Sequence, residues 1–122
     1  MSQSSFKELR VWQEAMALTV EIYKRTQGFP KHEIYGLTQQ IRRAAVSVPS
    51  NIAEGKGRYS DKDFSRFLFH ARGSLQEVQT QLLIAQQLQY MSGEDAQRLI
   101  SLAEGVGRAL SGLITSLREA VA

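Results

Sequence analysis

The sequence contains no cysteine. Disulfides, thiol nucleophiles and thiolate metal sites are thereby excluded. Two histidines, His32 and His70, are too few for a histidine-rich metal centre. Proline appears twice and glycine nine times in 122 residues, so few points force regular structure to stop. No apolar run approaches the ~18–20 residues that a membrane span needs, so no membrane partner is expected. Met1 to Phe6 lacks a basic segment followed by an apolar one, which predicts no secretory leader and a cytoplasmic protein. What is present is globular composition: 43% hydrophobic and 22% charged residues, enough for the core of one domain spanning 1–122.

Charge is mildly basic, +3 overall, and uneven. Residues 1–72 hold 12 Lys and Arg against 7 Asp and Glu; residues 73–122 hold 3 against 5. Such asymmetry points to a polyanion-facing side, or simply to a solvated surface.

Strand-like alternation is absent, and helical spacing runs nearly end to end. Four helices are predicted, at about 8–27, 37–55, 61–90 and 93–120. Ser5 with Glu8 has capping-box spacing before the first, and Gly28 suits a left-handed cap after it. That helix carries two apolar rows: Leu9, Trp12, Met16, Tyr23 and Val11, Ala15, Leu18, Ile22. The second helix repeats Leu37, Ile41, Ala45, Val48, Ile52 but contains Pro49, which predicts a kink or a break. Gly55 and Gly57 mark its stop. Ser60 with Asp63 and Ser92 with Asp95 repeat the capping spacing. The third helix carries a heptad seam: Phe64, Leu68, Ala71, Leu75, Val78, Leu82, Ala85. The fourth carries Ala96, Leu99, Ala103, Val106, Leu110, Leu113, Leu117. Short connections between seamed helices predict an all-α, antiparallel up-down-up-down four-helix bundle.

The first and fourth helices each show more apolar surface than one seam uses. A second row, Ile100, Gly107, Ile114 and Val121, flanks the fourth seam, and Gly105 and Gly112 are also interior glycines. Each costs ~1 kcal/mol relative to alanine in a helix, which is explained by close approach of another backbone. The candidate oligomer interface is the outer face of the first and fourth helices, marked by Ile100, Gly105, Gly107, Gly112 and Ile114; a broad core face with tolerated glycines is the alternative.

Catalytic patterns fail. Gly55-Lys56-Gly57 follows no strand and matches neither dinucleotide nor phosphate-loop spacing. Asp61-Lys62-Asp63 is a fragment of a cation loop and fits helix capping better. No E-x-x-H pair supports a di-iron site, and Glu77 and Glu104 stand alone. His70, among Arg66, Phe67 and Arg72, reads as a surface or inter-helix histidine. No enzyme activity, cofactor or metal is expected.

The basic residues are more telling. Arg42, Arg43, Lys56, Arg58, Lys62, Arg66 and Arg72 crowd 42–72 against only Glu54, Asp61 and Asp63. Tyr59 and Phe69 are interleaved as stacking candidates. Phosphate contact is one reading and local salt bridging the other. Pro49 leaves the carbonyl of Ala45 free, with the polar side chains of Ser50 and Asn51 nearby, and Ser47, Asn51 and Glu54 are placed to form a polar network around the kink, which either holds the bend or binds a ligand.

Three segments carry a resemblance: FKELRVWQEA at 6–15, YGLTQQIRRAAVSVPSNIAEG at 35–55 and GSLQEVQTQLLIA at 73–85. They resemble the four-helix bundle family named after the 23S rRNA intervening-sequence protein, over about 5–118. The middle segment, with Pro49, Ser50, Asn51, Glu54 and Gly55, is the specific one. The family is similar in fold to the accessory variability determinant of diversity-generating retroelements, a basic homopentamer that binds nucleic acid and partners a reverse transcriptase. The resemblance implies a ring-like homopentamer. With the basic stretch, it implies a non-enzymatic protein that engages RNA or an RNA–DNA hybrid through phosphates. The alternative it implies is a scaffold that docks a partner such as a reverse transcriptase, with no direct nucleic-acid role.

Overall fold

A computed structural model of the chain describes residues 5–121; residues 1–4, within the stretch read for a leader, and residue 122 lie outside the described residues. Four helices form: α1 (Arg10–Thr26), α2 (Leu37–Lys56), α3 (Asp61–Gln87) and α4 (Gly93–Val121). Short 3₁₀ turns, Phe6–Glu8 and Lys31–Glu33, precede α1 and α2. α1 packs on α2 and α4, and α3 packs on α2 and α4, while the diagonal pairs do not approach. The result is the antiparallel up-down-up-down bundle that the seams predict. Among the described residues no helix is long and apolar enough to cross a membrane.

The α3 seam is buried in full, from Phe64 to Ala85. Fully burying one leucine contributes ~1.5–3 kcal/mol, so this stripe is a principal source of stability. On α4 the stripe departs from the expected one. Leu99, Ala103, Val106 and Leu110 are buried, but the next core position is Ile114, with Leu113 and Leu117 only half-buried. A straight helix has 3.6 residues per turn, so a strict seven-residue repeat drifts by ~20° per heptad and the core face passes from Leu113 to Ile114.

Helix starts follow the capping pattern twice: Ser60 Oγ accepts from the Asp63 amide at 3.1 Å and Ser92 Oγ from the Asp95 amide at 3.0 Å. The first helix differs. Ser5 Oγ accepts from the Lys7 amide and caps the 3₁₀ turn, while Leu9 precedes α1 without a side-chain cap. No glycine has positive φ, so Gly28 is not a left-handed cap; that conformation falls to Gln89, at φ 63°, after α3. There the Tyr90 amide reaches the Ala85 carbonyl and the Gln89 amide that of Gln86, closing the last turn in a Schellman motif.

α2 is neither broken nor ended at Pro49, which is buried inside it. Proline cannot donate to the Ala45 carbonyl. The missing donor comes from α1: Thr19 Oγ lies 3.1 Å from the Ala45 carbonyl and 2.8 Å from its own Ala15 carbonyl. Thr19→Val is therefore expected to cost about 1–3 kcal/mol by orphaning a buried carbonyl. In a Pro49→Ala background, residue 49 regains an amide for that carbonyl, so the Thr19→Val cost should shrink. A double-mutant cycle in urea measures this coupling, and equal costs in both backgrounds would refute it.

At the opposite end, Glu33 clasps two loops. One carboxylate oxygen accepts from the Leu37 amide at 3.0 Å, capping α2, and the other accepts from the Tyr90 hydroxyl at 2.7 Å. The Leu37 amide and then the Tyr90 hydroxyl lower the Glu33 pKa below the ordinary glutamate value, while the bond to Glu33 raises that of Tyr90. The Glu33 contribution is present above its unfolded pKa and is lost as pH falls through its lowered folded pKa. The Tyr90 contribution is lost as pH rises through its raised one. Thermal melts should thus weaken at both extremes, and Glu33→Gln should flatten the acid limb.

Candidate nucleic-acid interface

Antiparallel packing brings the C-terminus of α2, the start of α3 and the end of α4 to one end of the bundle. Lys56, Arg58, Lys62, Arg66 and Arg72 gather there. Two half-buried phenylalanines of α3 organise them. The guanidinium of Arg58 lies 4.7 Å and that of Arg66 5.2 Å from the Phe67 ring centre. Arg72 and Arg118 lie 5.0 and 5.2 Å from the Phe69 ring centre. Lys56 Nζ stands 5.9 Å from the Phe64 ring. Such stacking is worth ~0.5–1 kcal/mol at exposed sites and holds long side chains in place before a ligand arrives. Glu54 pairs with Arg58 at 2.7 Å and Asp63 with Arg66 at 3.7 Å. Both pairs are solvent-exposed and each contributes ~0–1 kcal/mol, which a phosphate can displace.

The structure separates the other two expected cations from this cluster. Arg42 lies 14 residues before Lys56 on α2, about 21 Å away along the axis. Its Nε donates to Thr26 Oγ at 2.9 Å and its Nη2 to the Tyr23 carbonyl at 3.3 Å, with the guanidinium 4.7 Å from the Tyr23 ring. It is a tie onto the carboxyl end of α1, where a cation is favoured by the helix dipole. Arg43 is exposed and borders a polar groove of about 310 Å³ between α2 and α3. Ser47 and Ser74 share a hydrogen bond of 2.8 Å in that groove.

The polar network near Pro49 is smaller than expected. Asn51 Nδ2 donates to the Ser47 carbonyl at 2.8 Å and to Ser47 Oγ at 3.0 Å, whereas Glu54 turns to Arg58 and Ser50 is exposed. Gly55 does not end α2: it is buried within the helix against α3. A β-carbon there would fall 2.7 Å from Phe67 Cβ and 3.0 Å from Phe64 Cδ1. The residue thus lets α2 approach the helix that carries the aromatic supports.

The candidate interface on α4 is corrected in part. Ile114 is in the core, 3% exposed, and Ile100 packs half-buried against it. Gly107 faces inward, where a β-carbon would contact Leu75 at 3.4 Å. Only Gly105 and Gly112 lie on the outer side, and Gly112 has open space around it. Exposed apolar side chains lie on α1, the other helix of the expected interface, at Met16, Val20 and Tyr23, and also at Val46 of α2, Leu83 and Ile84 of α3 and Leu102 of α4.

Sequence reasoning missed Arg118 and the support given by Phe67. A signal for Arg118 existed: a helical hairpin folded about Tyr90 opposes positions whose numbers sum to about 180, which matches Lys62 with Arg118. Tyr59, a stacking candidate, is fully exposed in the loop. His70 is exposed 6.2 Å from the Phe67 ring, and Glu77 and Glu104 border different grooves. Among the described residues no three His, Asp or Glu side chains gather around a common point.

A family profile described as 23S rRNA-intervening sequence protein matches residues 7–112. A solved protein of unknown function from the S23 ribosomal protein family of Bacteroides thetaiotaomicron is similar in fold. Its TM-score is 0.77 at 21% identity, over 85% of this chain and 97% of that one. No curated protein matches the sequence.

Proposed function

Because the chain belongs to the 23S rRNA-intervening sequence protein family, we propose that it is a non-enzymatic, self-associating protein that binds RNA or an RNA–DNA hybrid through phosphates. The observation that carries this reading is the pair of phenylalanine-supported arginine clusters at one end of the bundle. Contacts to phosphate carry no sequence information, so affinity should depend on salt more than on sequence. A gel-shift series from about 50 to 200 mM salt is expected to weaken binding by about 10²-fold or more if four or five phosphates are engaged. Salt-independent affinity, or no binding at low salt, rejects the reading. Self-association is supported by the exposed apolar residues of α1 and multiplies the positive end around a ring. Light scattering is expected to give a multiple of the 13.7 kDa chain, five in the homopentamer.

The same apolar row favours a second reading, a scaffold that docks a protein such as a reverse transcriptase. Retention of that partner after nuclease digestion, with no salt-dependent nucleic-acid binding by the isolated protein, would select it.

A further inference from the structure

We propose that the cleft between the start of α3 and the end of α4 holds one unpaired nucleotide, making the protein selective for single-stranded over duplex nucleic acid. The inference rests on the nucleic-acid reading above and narrows it to unpaired RNA, because an RNA–DNA hybrid is itself a duplex; it adds a strand preference that phosphate contact alone does not supply. The cleft has a volume of about 520 Å³, a size that accepts a small ligand and excludes a duplex. Its apolar surface comes from Leu117 and from Phe69, whose ring is shared with the Arg72 and Arg118 guanidiniums at 5.0 and 5.2 Å, and its rim carries Lys62, Arg66 and Arg118. Three cations around a small apolar wall match a flat ring flanked by the phosphates of a nucleic-acid strand. Asp61, also on the rim, offers an acceptor for a base N–H or a ribose hydroxyl. Bases within a duplex are stacked on their neighbours and expose no ring to such a wall, whereas an unpaired base does. A peptide of aspartates and glutamates alone brings charge to the rim but no ring beside it.

The test uses the intact protein and adenosine 5′-monophosphate, with adenosine and inorganic phosphate as separate arms, followed by NMR. The nucleotide is expected to shift the resonances of Phe69 and Leu117 and to bind more tightly than either half alone. Arg118→Glu, at an exposed position, and Ser65→Trp, which fills the cleft, should each weaken it about tenfold, the scale of one stacked base. Lys31→Glu, at the opposite end, should leave it unchanged. A single-stranded RNA of about 12 nucleotides should also bind about tenfold tighter than a blunt duplex, with the preference lost in both cleft variants. Equal binding of strand and duplex, or phosphate binding as well as the nucleotide, overturns the cleft assignment and leaves the phosphate-based reading standing. Failure of every nucleic acid to bind overturns both. Should Ser65→Trp not fold, Arg118→Glu alone decides.

Discussion

Gly55→Val is expected to lower stability by about 3 kcal/mol or more, a fall in Tm of roughly 10 °C for a chain of this size. The first added carbon already falls 2.7 Å from Phe67 Cβ and 3.3 Å from the Phe64 carbonyl. Neither is the free end of a flexible side chain, so relief requires α2 and α3 to move apart. Gly55→Ala meets the same contacts. Its overpacking cost of about 1–3 kcal/mol is offset by the ~1 kcal/mol that alanine gains over glycine in a helix. Gly112 is the control, since a β-carbon there meets nothing within 4 Å. Gly112→Ala should raise stability by ~1 kcal/mol. Opposite signs at the two glycines establish close packing at Gly55, whereas stabilisation at both would refute it. Because Phe67 carries Arg58 and Arg66, a Gly55 variant that still folds should also bind nucleic acid less well.

The second large effect separates arginines that hold the fold from those that meet a ligand. Replacing Lys62, Arg66 and Arg72 together by alanine is expected to reduce the salt slope by about 2–3 and to weaken binding at low salt on the order of 100-fold. Their side chains are exposed, so the melting temperature should change little. Arg42→Ala should do the reverse. It removes hydrogen bonds to Thr26 Oγ and the Tyr23 carbonyl, at about 1.5–3 kcal/mol for a charged donor, and leaves the salt slope as it was. Parallel gel shifts and melts on the two variants test this division. A loss of slope in Arg42→Ala would place that arginine at the ligand and contradict its role as a helix tie.

Both results turn on what a linear pattern carries. The helices, their order and the α3 seam were legible in the sequence, because burial of an apolar stripe imposes its own period on the residues. Two caps were legible for the same local reason: Ser60 and Ser92 reach amides three residues on. Crowding of cations at 42–72 was legible as a count, but not as a surface. One helix spreads neighbours in sequence along its length and around its circumference, so Arg42, Arg43 and the remaining five face different surroundings. Arg118 joined the cluster from the other end of the chain.

By itself, then, the amino-acid order determined an all-helical bundle with short connections and a basic first half. Tertiary packing decided which glycine is indispensable, which hydroxyl supplies the donor that Pro49 lacks, and which arginines remain available. The reason is physical: periodicity and capping act within a turn or two, whereas contact between helices depends on register and rotation, which depend on every side chain in the shared core.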